Sequence, residues 1–264
     1  HWVGGTDLQY VDVAGVRTFD TKNERGYEDL TSTSDAPLSY TEDGVSKDYV
    51  GDYSRDTNFD YSWSGLSAWY VLALDAAGID RFHLVVHDIA GPIGFDLIRR
   101  LPERILSLTV LNTMVDVSTF HRPWTMEPFA WPVIGRLWLQ SARTPLFYFL
   151  MKLQGMHNIS RHEAAAYGQL LLGPDGGRAF QKIMSSFNRT KEFEHAIKAS
   201  LAVRAFPAQI IWGMEDPALK SAQYAPPLMN ALNLTSFQKV SGKHFLQEDS
   251  YCEIAEAIAI QASR

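Results

Sequence analysis

The stretch LVVHDIAGPIGF, residues 84–95, decides which fold this chain adopts. A short apolar run, the signature of a strand buried on both faces, leads into Asp88 and then at once into a helix. This is the layout of a nucleophile elbow, in which a tight turn lifts one side chain above the sheet. The chain has no G-x-S-x-G segment with a serine apex, so the apex here is a carboxylate. An aspartate after a strand is otherwise typical of a helix N-cap, an alternative that the small residues Ala90, Gly91 and Gly94 disfavour.

The segments around this stretch alternate between strand-like and helix-like patterns. Short apolar runs predict buried strands at residues 82–87, 108–112, 208–212 and 236–240, and helical periodicity predicts helices at residues 65–77, 91–101 and 254–261. Such alternation predicts a mostly parallel central sheet flanked by helices, with right-handed crossovers. The predicted fold class is therefore α/β.

Residues 117–203 have a different texture. Strand-like runs are absent, and prolines interrupt segments rich in Trp, Phe, Leu and Met. A helical insertion between strands of a parallel sheet is best explained as a cap over the carboxyl edge of the sheet, where ligands bind. The alternative is a helical excursion that serves stability alone. We predict a core domain of residues 1–116 and 204–264, with a helical cap domain of residues 117–203.

The residues that follow the predicted strands indicate a chemistry. A carboxylate nucleophile suits substitution at an sp³ carbon, because it displaces a halide or opens an epoxide to form an ester with the enzyme. Hydrolysis of that ester needs a general base, and His244 follows the last predicted strand. Asp216 follows the strand at residues 208–212 and is predicted to orient the imidazole, with Glu215 as the alternative. Nucleophile, acid and histidine stand in the chain order expected of such a site.

The segments HDIAGPIGF, RLPERILSLTVLNT, IIWGMEDPAL and GKHFLQED resemble the haloalkane dehalogenase and epoxide hydrolase branch of the α/β-hydrolase fold family. Residues 48–54 are loosely similar to the D-x-P-G-x-G-x-S loop of that family. The resemblance covers about four-fifths of the chain. It implies an α/β-hydrolase fold with an inserted helical cap, Asp88 as nucleophile, Asp216 as acid and His244 as base. It implies no metal or organic cofactor.

Three departures from the family pattern bear on activity. The H-G-x-P segment, which supplies one backbone donor of the oxyanion hole, is not found. Only the amide of Ile89 is assigned to that role, and loss of one donor typically costs about 10²–10³ in rate. Ile89 also stands where this branch commonly has a Trp that holds the leaving halide, which counts against dehalogenation. Epoxide hydrolases use cap tyrosines to protonate the epoxide oxygen; Tyr167 and Tyr148 are the candidates, with a buried structural role as the alternative for each.

Aromatic residues of the cap segment are candidates for a substrate pocket, although such side chains more often pack in a core. The predicted pocket residues are Trp124, Trp131, Trp138 and Phe147. His157 and His162 suggest a metal pair, but no cysteine or ordered carboxylate accompanies them in the sequence. A solvated helix face is the better interpretation, and no metal site is predicted.

The composition restricts the classes of function. A net charge of −6 argues against a nucleic-acid surface or an anionic-membrane surface. The single cysteine, Cys252, excludes an internal disulfide and a multi-cysteine metal site. The first residues do not resemble a secretory signal, and we predict a cytoplasmic protein. The most apolar stretch, residues 137–153, is too interrupted to be a transmembrane segment, but it could lie on a membrane or line an apolar cleft.

The N-terminal third departs most from the expected pattern. Residues 8–18 predict a hairpin, whereas residues 21–47 are polar and lack an apolar run for a central strand. Such a stretch is unusual inside a compact domain and is interpreted as a loop, a replaced segment or a gap in the sequence. The sequence predicts a hydrolase for a small apolar electrophile, a haloalkane or an epoxide, with water as co-substrate. The alternative is a protein that keeps the fold but has impaired or lost turnover and serves as a binding or non-hydrolytic biosynthetic module. No oligomeric state is predicted.

Overall fold

A computed structural model describes residues 59–173 and 175–263 in full, together with the backbone of four strands nearer the N-terminus. These strands are β1 (Thr6–Val13), β2 (Val16–Asn23), β3 (Leu38–Glu42) and β4 (Val45–Tyr49). β1 pairs antiparallel with β2, as predicted for residues 8–18, and β3 pairs antiparallel with β4. Much of the polar stretch at residues 21–47 and most of the loop at residues 48–54 lie outside the described residues.

The sheet that carries the site is built from β5 (Phe82–His87), β6 (Ile105–Leu111), β7 (Ala208–Gly213) and β8 (Gln238–Val240). These strands are parallel, in the spatial order β5-β6-β7-β8. Each lies where an apolar run predicted a strand. Because the strands are parallel, their carboxyl ends meet at one edge, and the residues that follow them are brought together there.

Helices connect these strands and cover the sheet. In chain order they are α1 (Trp63–Ala76), α2 (Ala90–Arg100), α3 (Pro132–Leu139), α4 (Pro145–Leu150), α5 (Arg161–Leu172), α6 (Arg178–Ser185), α7 (Lys191–Ala202), α8 (Ser221–Ala231), α9 (Leu246–Asp249) and α10 (Tyr251–Ala262). α1 begins where the hydroxyl of Ser62 accepts from the amide of Gly65, a side-chain cap of an otherwise unpaired donor. The helix ends just before Gly78, whose φ of +65° suits glycine.

The main core lies between the sheet and the helices packed on it. Trp63 of α1, Phe95 of α2, Leu108 of β6 and Trp212 of β7 are all fully buried in it. Leu201 of α7 belongs to the same core, so this helix packs on the sheet layer although it falls within residues 117–203. Burial of such large apolar side chains is the main favourable contribution to folding.

The prediction that residues 82–87 are buried on both faces is wrong. β5 contains the buried Val86, but His83 and Val85 are exposed, Val85 by 41%. Among the described strands, β5 pairs with β6 alone. β6 lies between β5 and β7 and is buried along nearly its whole length. An apolar run alone does not distinguish an edge strand from a central one.

The regular secondary structure described between β6 and β7 is all helical. Besides α3–α7 it contains the short helical turns Glu127–Ala130, Gln140–Arg143 and Met151–Gly155, the last a π-helical turn. Its division from the core as a cap domain of residues 117–203 stays a prediction. Within the described ranges, no helix combines the length and the apolar character needed to cross a lipid bilayer.

Candidate functional site

Asp88 occupies the tight turn between β5 and α2. Its φ of +50° lies in the left-handed region, which a non-glycine residue adopts only where its surroundings enforce it. The Asp88 amide donates to the carbonyl oxygen of Asn112, and the Gly91 amide donates to the carbonyl oxygen of Asp88, both at 3.0 Å. A Cβ at Gly91 would lie 1.9 Å from Oγ1 of Thr113. A Cβ at Gly94 of α2 would lie 2.4 Å from Cγ1 of Val86 in β5, so the expected close crossing of strand and helix is confirmed at that glycine.

The side chain of Asp88 does not cap α2, so the alternative interpretation as an N-cap is wrong. Ile89 holds the N-cap position, without a side-chain hydrogen bond. The carboxylate instead lines a cavity, where its Oδ2 lies 3.8 Å from Nε2 of His244. That distance suits an ion pair and is too long for a hydrogen bond. The amide of Ile89, the next residue in the chain, helps to lower the pKa of the same carboxylate.

His244, on the loop after β8, lies between Asp88 and Asp216. Its Nδ1 is 3.0 Å from Oδ2 of Asp216. The Asp216 side chain is fully buried, and its Oδ1 accepts from the amides of Ala218 and Leu219 at 2.8 and 2.9 Å. Because an ionised carboxylate only accepts, Nδ1 carries a hydrogen toward Asp216. Nε2 is then the ring nitrogen directed at Asp88.

Asn112 fixes the position of this acid, a role that the sequence analysis missed. The residue follows β6 and is fully buried. Its Nδ2 donates to Oδ2 of Asp216 at 2.9 Å, and its Oδ1 accepts from the amide of Gly213 at 2.9 Å. One side chain therefore links the ends of two strands to the acid. The sequence feature that could have identified Asn112 is its place as a polar residue directly after a buried strand.

The neighbouring acid, Glu215, binds a different histidine. Its Oε2 lies 2.7 Å from Nε2 of His157, and its Oε1 accepts from the hydroxyl of Ser241 at 2.9 Å. Nδ1 of His157 lies 3.1 Å from Asp249. The predicted solvated helix face is thus wrong for His157, because that residue lies on a loop and contacts two carboxylates.

The main chain around His244 is held from two directions. Nε2 of His87 donates to the carbonyl oxygen of His244 at 2.8 Å. The amide of His244 donates to the carbonyl oxygen of Gln154 at 3.2 Å, and the amide of Phe245 donates to that of Gly155 at 2.8 Å. Both of these carbonyls belong to the π-helical turn, a geometry frequent at functional sites. The helical segment therefore helps to position the histidine.

Charge and burial shift the pKa values of these residues. Burial alone lowers the pKa of His244, but the charges of Asp88 and Asp216 and the hydrogen bond to Asp216 outweigh it and raise the pKa from 6.5 to about 10. Burial and the charge of His244 lower the pKa of His87 to about 4. Burial raises the pKa of Asp88 and Asp216, yet contacts with His244 lower both below the ordinary value. At neutral pH the site holds a protonated His244 between two carboxylates.

A cavity of about 270 Å³ opens beside Asp88 and His244. Besides Asp88 and His244, four of the predicted side chains line it, namely Ile89, Tyr167, Trp138 and Phe147. Other lining residues include Phe120, Arg122, Thr125, Met126, Phe129, Leu150, Met151, Gln154, Leu171, Phe180, Met184, Phe187, Leu219 and Phe245. A mostly apolar wall with a few convergent polar groups is typical of sites for small organic molecules.

Three predicted residues lie away from this cavity, and these predictions are corrected. Trp124 and Trp131 are 73% and 46% exposed and do not belong to its lining. Tyr148 lines a separate surface groove, where the guanidinium of Arg161 lies 5.8 Å from the centre of its ring. The sequence identified aromatic residues in helices but did not determine which side of each helix faces inward.

Tyr167 and Gln154 bring polar groups to the cavity wall. The hydroxyl of Tyr167 donates to Oε1 of Glu248 at 2.9 Å. Oε1 of Gln154 accepts from the hydroxyl of Thr125 at 3.0 Å, which orients this amide. A glutamine within an apolar helical segment has no distinguishing pattern, so Gln154 could not be identified from the sequence.

Comparisons with known proteins agree with this architecture. A family model described as alpha/beta hydrolase fold matches residues 34–251. The crystal structure of haloalkane dehalogenase DbeA from Bradyrhizobium elkani aligns with a TM-score of 0.62 and 20% identity, over 79% of this chain and 76% of that one. An alpha/beta hydrolase fold protein from Burkholderia ambifaria gives a TM-score of 0.63 and 19% identity, over 75% and 72% of the two chains. At such identities the likeness shows the fold alone.

A curated protein sequence matches this chain over a short segment only. The protein named "Putative carbamate hydrolase RutD" of Azorhizobium caulinodans is 43% identical to this chain over 49 residues. The match covers 19% of this chain and only 18% of that relative. It therefore indicates local relatedness and does not extend to the whole length of either protein.

Proposed function

This chain belongs to the alpha/beta hydrolase fold family, and from that premise we propose that it is a hydrolase with Asp88 as nucleophile. The match over residues 34–251 also confirms the predicted fold class, a parallel sheet flanked by helices. The observation that carries the proposal is the placement of Asp88 at a strained turn on the cavity wall, with Nε2 of His244 3.8 Å away. His244 is proposed as general base, and Asp216 as the acid that orients it.

The first proposed step is substitution at an sp³ carbon. A carboxylate oxygen of Asp88 attacks the carbon and forms an ester, while the bond to the leaving group breaks and its electron pair departs with that group. A halide leaves as an anion. An opened epoxide oxygen stays attached and takes up a proton, for which Tyr167 on the cavity wall is the candidate donor. Gln154 is a candidate amide donor to either leaving group.

The second proposed step is hydrolysis of the ester. Alkylation removes the charge of Asp88, which is the largest influence raising the pKa of His244. The pKa of His244 then falls, the ring loses its proton, and its neutral form accepts a proton from water. Hydroxide adds to the carbonyl carbon of the ester, and the alcohol product leaves as the carboxylate of Asp88 re-forms. The amide of Ile89 lies next to this carbonyl and is the candidate oxyanion donor.

The expected substrate is a small, mostly apolar electrophile. The cavity volume and its apolar wall support this class. Ile89 has no side-chain donor for a halide, which favours an epoxide, whereas the hydrogen bond from Tyr167 to Glu248 supports neither class over the other. A cytoplasmic location stays a prediction. An alternative function as a binding or non-hydrolytic module is favoured by the single assigned oxyanion donor.

Intact-protein mass spectrometry tests the proposal. The protein is incubated with a panel of haloalkanes, epoxides and carbamates, and both adduct mass and product are measured. We expect an alkyl adduct on Asp88 that persists longer in His244→Ala, and no adduct in Asp88→Ala. Product without an adduct, in the carbamate arm alone, would contradict attack at an sp³ carbon. Ligand binding without adduct or product across the panel would favour the binding module.

A further inference from the structure

α3 carries a strip of apolar side chains that faces outward. Val133 and Leu137 are 73% and 70% exposed, and Ile134 is also exposed. At 3.6 residues per turn these side chains share one side of the helix, opposite the buried Gly135 and Leu139. A helix packed on a protein by one side normally has polar residues on the other side. α3 has apolar residues on both its buried side and its exposed side.

The next helix, α4, and the π-helical turn after it repeat this arrangement. Leu146, Phe149 and Leu153 are exposed, Phe149 by 60%, at spacings of three and four residues that put them on one side. Met151 and Gly155 of the same stretch are buried. Single exposed apolar residues are common on soluble proteins, whereas exposed apolar rows repeated on successive helices indicate an interaction surface. The outer apolar face is defined as Val133, Ile134, Leu137, Leu146, Phe149 and Leu153.

Cations accompany the outer apolar face. Arg136, Arg143 and Lys152 are exposed along it. Residues 128–162 contain no Asp or Glu, although the whole chain has a net charge of −6. The overall charge argues against an anionic surface as partner, but this stretch of sequence carries cations alone, although Asp175 shares a surface groove with Arg136. An anionic partner is therefore favoured locally.

The same helices line the cavity with their other sides. Trp138 of α3, with Phe147 and Leu150 of α4, belongs to the wall of the cavity that holds Asp88. One layer of helix therefore separates the cavity from the outer apolar face. This places an apolar, cationic exterior directly over an apolar interior.

We propose that the outer apolar face binds the surface of an anionic phospholipid bilayer. The apolar side chains enter the upper acyl region, and the cations lie at the headgroup phosphates. α3 and α4 have 8 and 6 residues, far fewer than the roughly 20 needed to cross a bilayer, so they lie in the plane of the interface. A second copy of this chain fits less well, because a symmetric contact would bring like charges together.

Vesicle binding by the full chain tests this proposal. Co-sedimentation is measured with vesicles of phosphatidylcholine containing phosphatidylserine, and with vesicles of phosphatidylcholine alone. We expect binding to the anionic vesicles that weakens as salt is raised. Val133→Ser, Leu137→Ser and Phe149→Ser, which change exposed residues, should each lower the partition coefficient by about tenfold. Arg136→Gln, Arg143→Gln and Lys152→Gln should each lower it about fivefold.

Matched controls change exposed residues elsewhere. Val203→Ser and Ile260→Ser remove exposed apolar side chains, and Lys220→Gln removes an exposed cation. These variants should bind as the unchanged protein does, and circular dichroism should show all variants folded. Equal binding to both vesicle types, or equal losses in test and control variants, would overturn the proposal. A dimer in the absence of vesicles that Leu137→Ser dissociates would overturn it in favour of a second copy.

Discussion

The side-chain amide of Asn112 donates to Oδ2 of Asp216 at 2.9 Å, and that same oxygen lies 3.0 Å from Nδ1 of His244. Asn112 and His244 therefore share one carboxylate oxygen from two sides. The other oxygen accepts from the amides of Ala218 and Leu219. With its hydrogen bonds so distributed, the buried Asp216 has little freedom to turn away from the imidazole.

Replacing Asn112 should therefore loosen the site. Asn112→Ala removes a hydrogen bond to a buried charged group, and we expect a loss of about 1.5–3 kcal/mol in the free energy of unfolding. The pKa of Asp216 is lowered in the folded protein, so its contribution to stability is full above the unfolded value of 3.8 and is lost as pH falls below it. The deficit of the variant should thus shrink in acid. Urea unfolding at a series of pH values measures this, with the exposed Asn230→Ala as control.

A second prediction concerns the protonation of His244. Its pKa is raised to about 10, chiefly by the charge of Asp88 acting against burial. Asp88→Asn removes that charge, so we expect the pKa of His244 to fall clearly below 10. Proton NMR titration of the ring measures the shift, and the exposed Asp80→Asn is the control for a change of charge alone. An unchanged pKa would contradict the assigned pairing.

The two proposed steps should differ in their dependence on pH. Ester formation needs ionised Asp88, whose pKa is below its ordinary value, so its rate should stay constant from neutral to moderately acidic pH. Ester hydrolysis needs neutral His244, so its rate should fall as pH drops through the pKa of His244 in the alkylated enzyme. That pKa is lower than the value of about 10 in the resting enzyme, because the charge of Asp88 is gone. Single-turnover measurements of adduct formation and decay give the rates of the two steps separately. If both rates depended on pH in the same way, His244 would not be the base of the second step.

Asp216 and Glu215 are adjacent in the chain, but their replacement should have very different effects on turnover. Asp216→Asn alters the hydrogen bond that orients His244 and should lower turnover by about 10³–10⁴-fold, as in other hydrolytic sites with an orienting acid. Glu215 contacts His157 and Ser241, so Glu215→Gln should change turnover by no more than about twofold. Steady-state kinetics on an active substrate compares them. A large loss in Glu215→Gln would make that residue the acid.

Local patterns in the sequence were enough to identify several parts of this protein. The apolar runs marked the four strands of the described sheet, because the apolar pattern of a strand is a local feature of about six residues. Gly94 marked the close crossing of α2 over β5, because a Cβ there would clash with Val86. Positions at the carboxyl ends of parallel strands predicted that Asp88, Asp216 and His244 would meet, and the structure brings them together.

Only the tertiary structure decided the remaining features, because they depend on contacts between segments far apart in sequence. The side chain of Asn112 donates to an acid 104 residues away. The carbonyl oxygen of Gln154, in the helical segment, accepts from the amide of His244 on the loop after β8. The direction of each aromatic side chain depends on how its helix packs, which placed Trp138 in the cavity wall and Trp124 outside it. The sequence by itself determined the sheet and the residues at its edge. Packing determined how those residues are oriented and which side chains surround them.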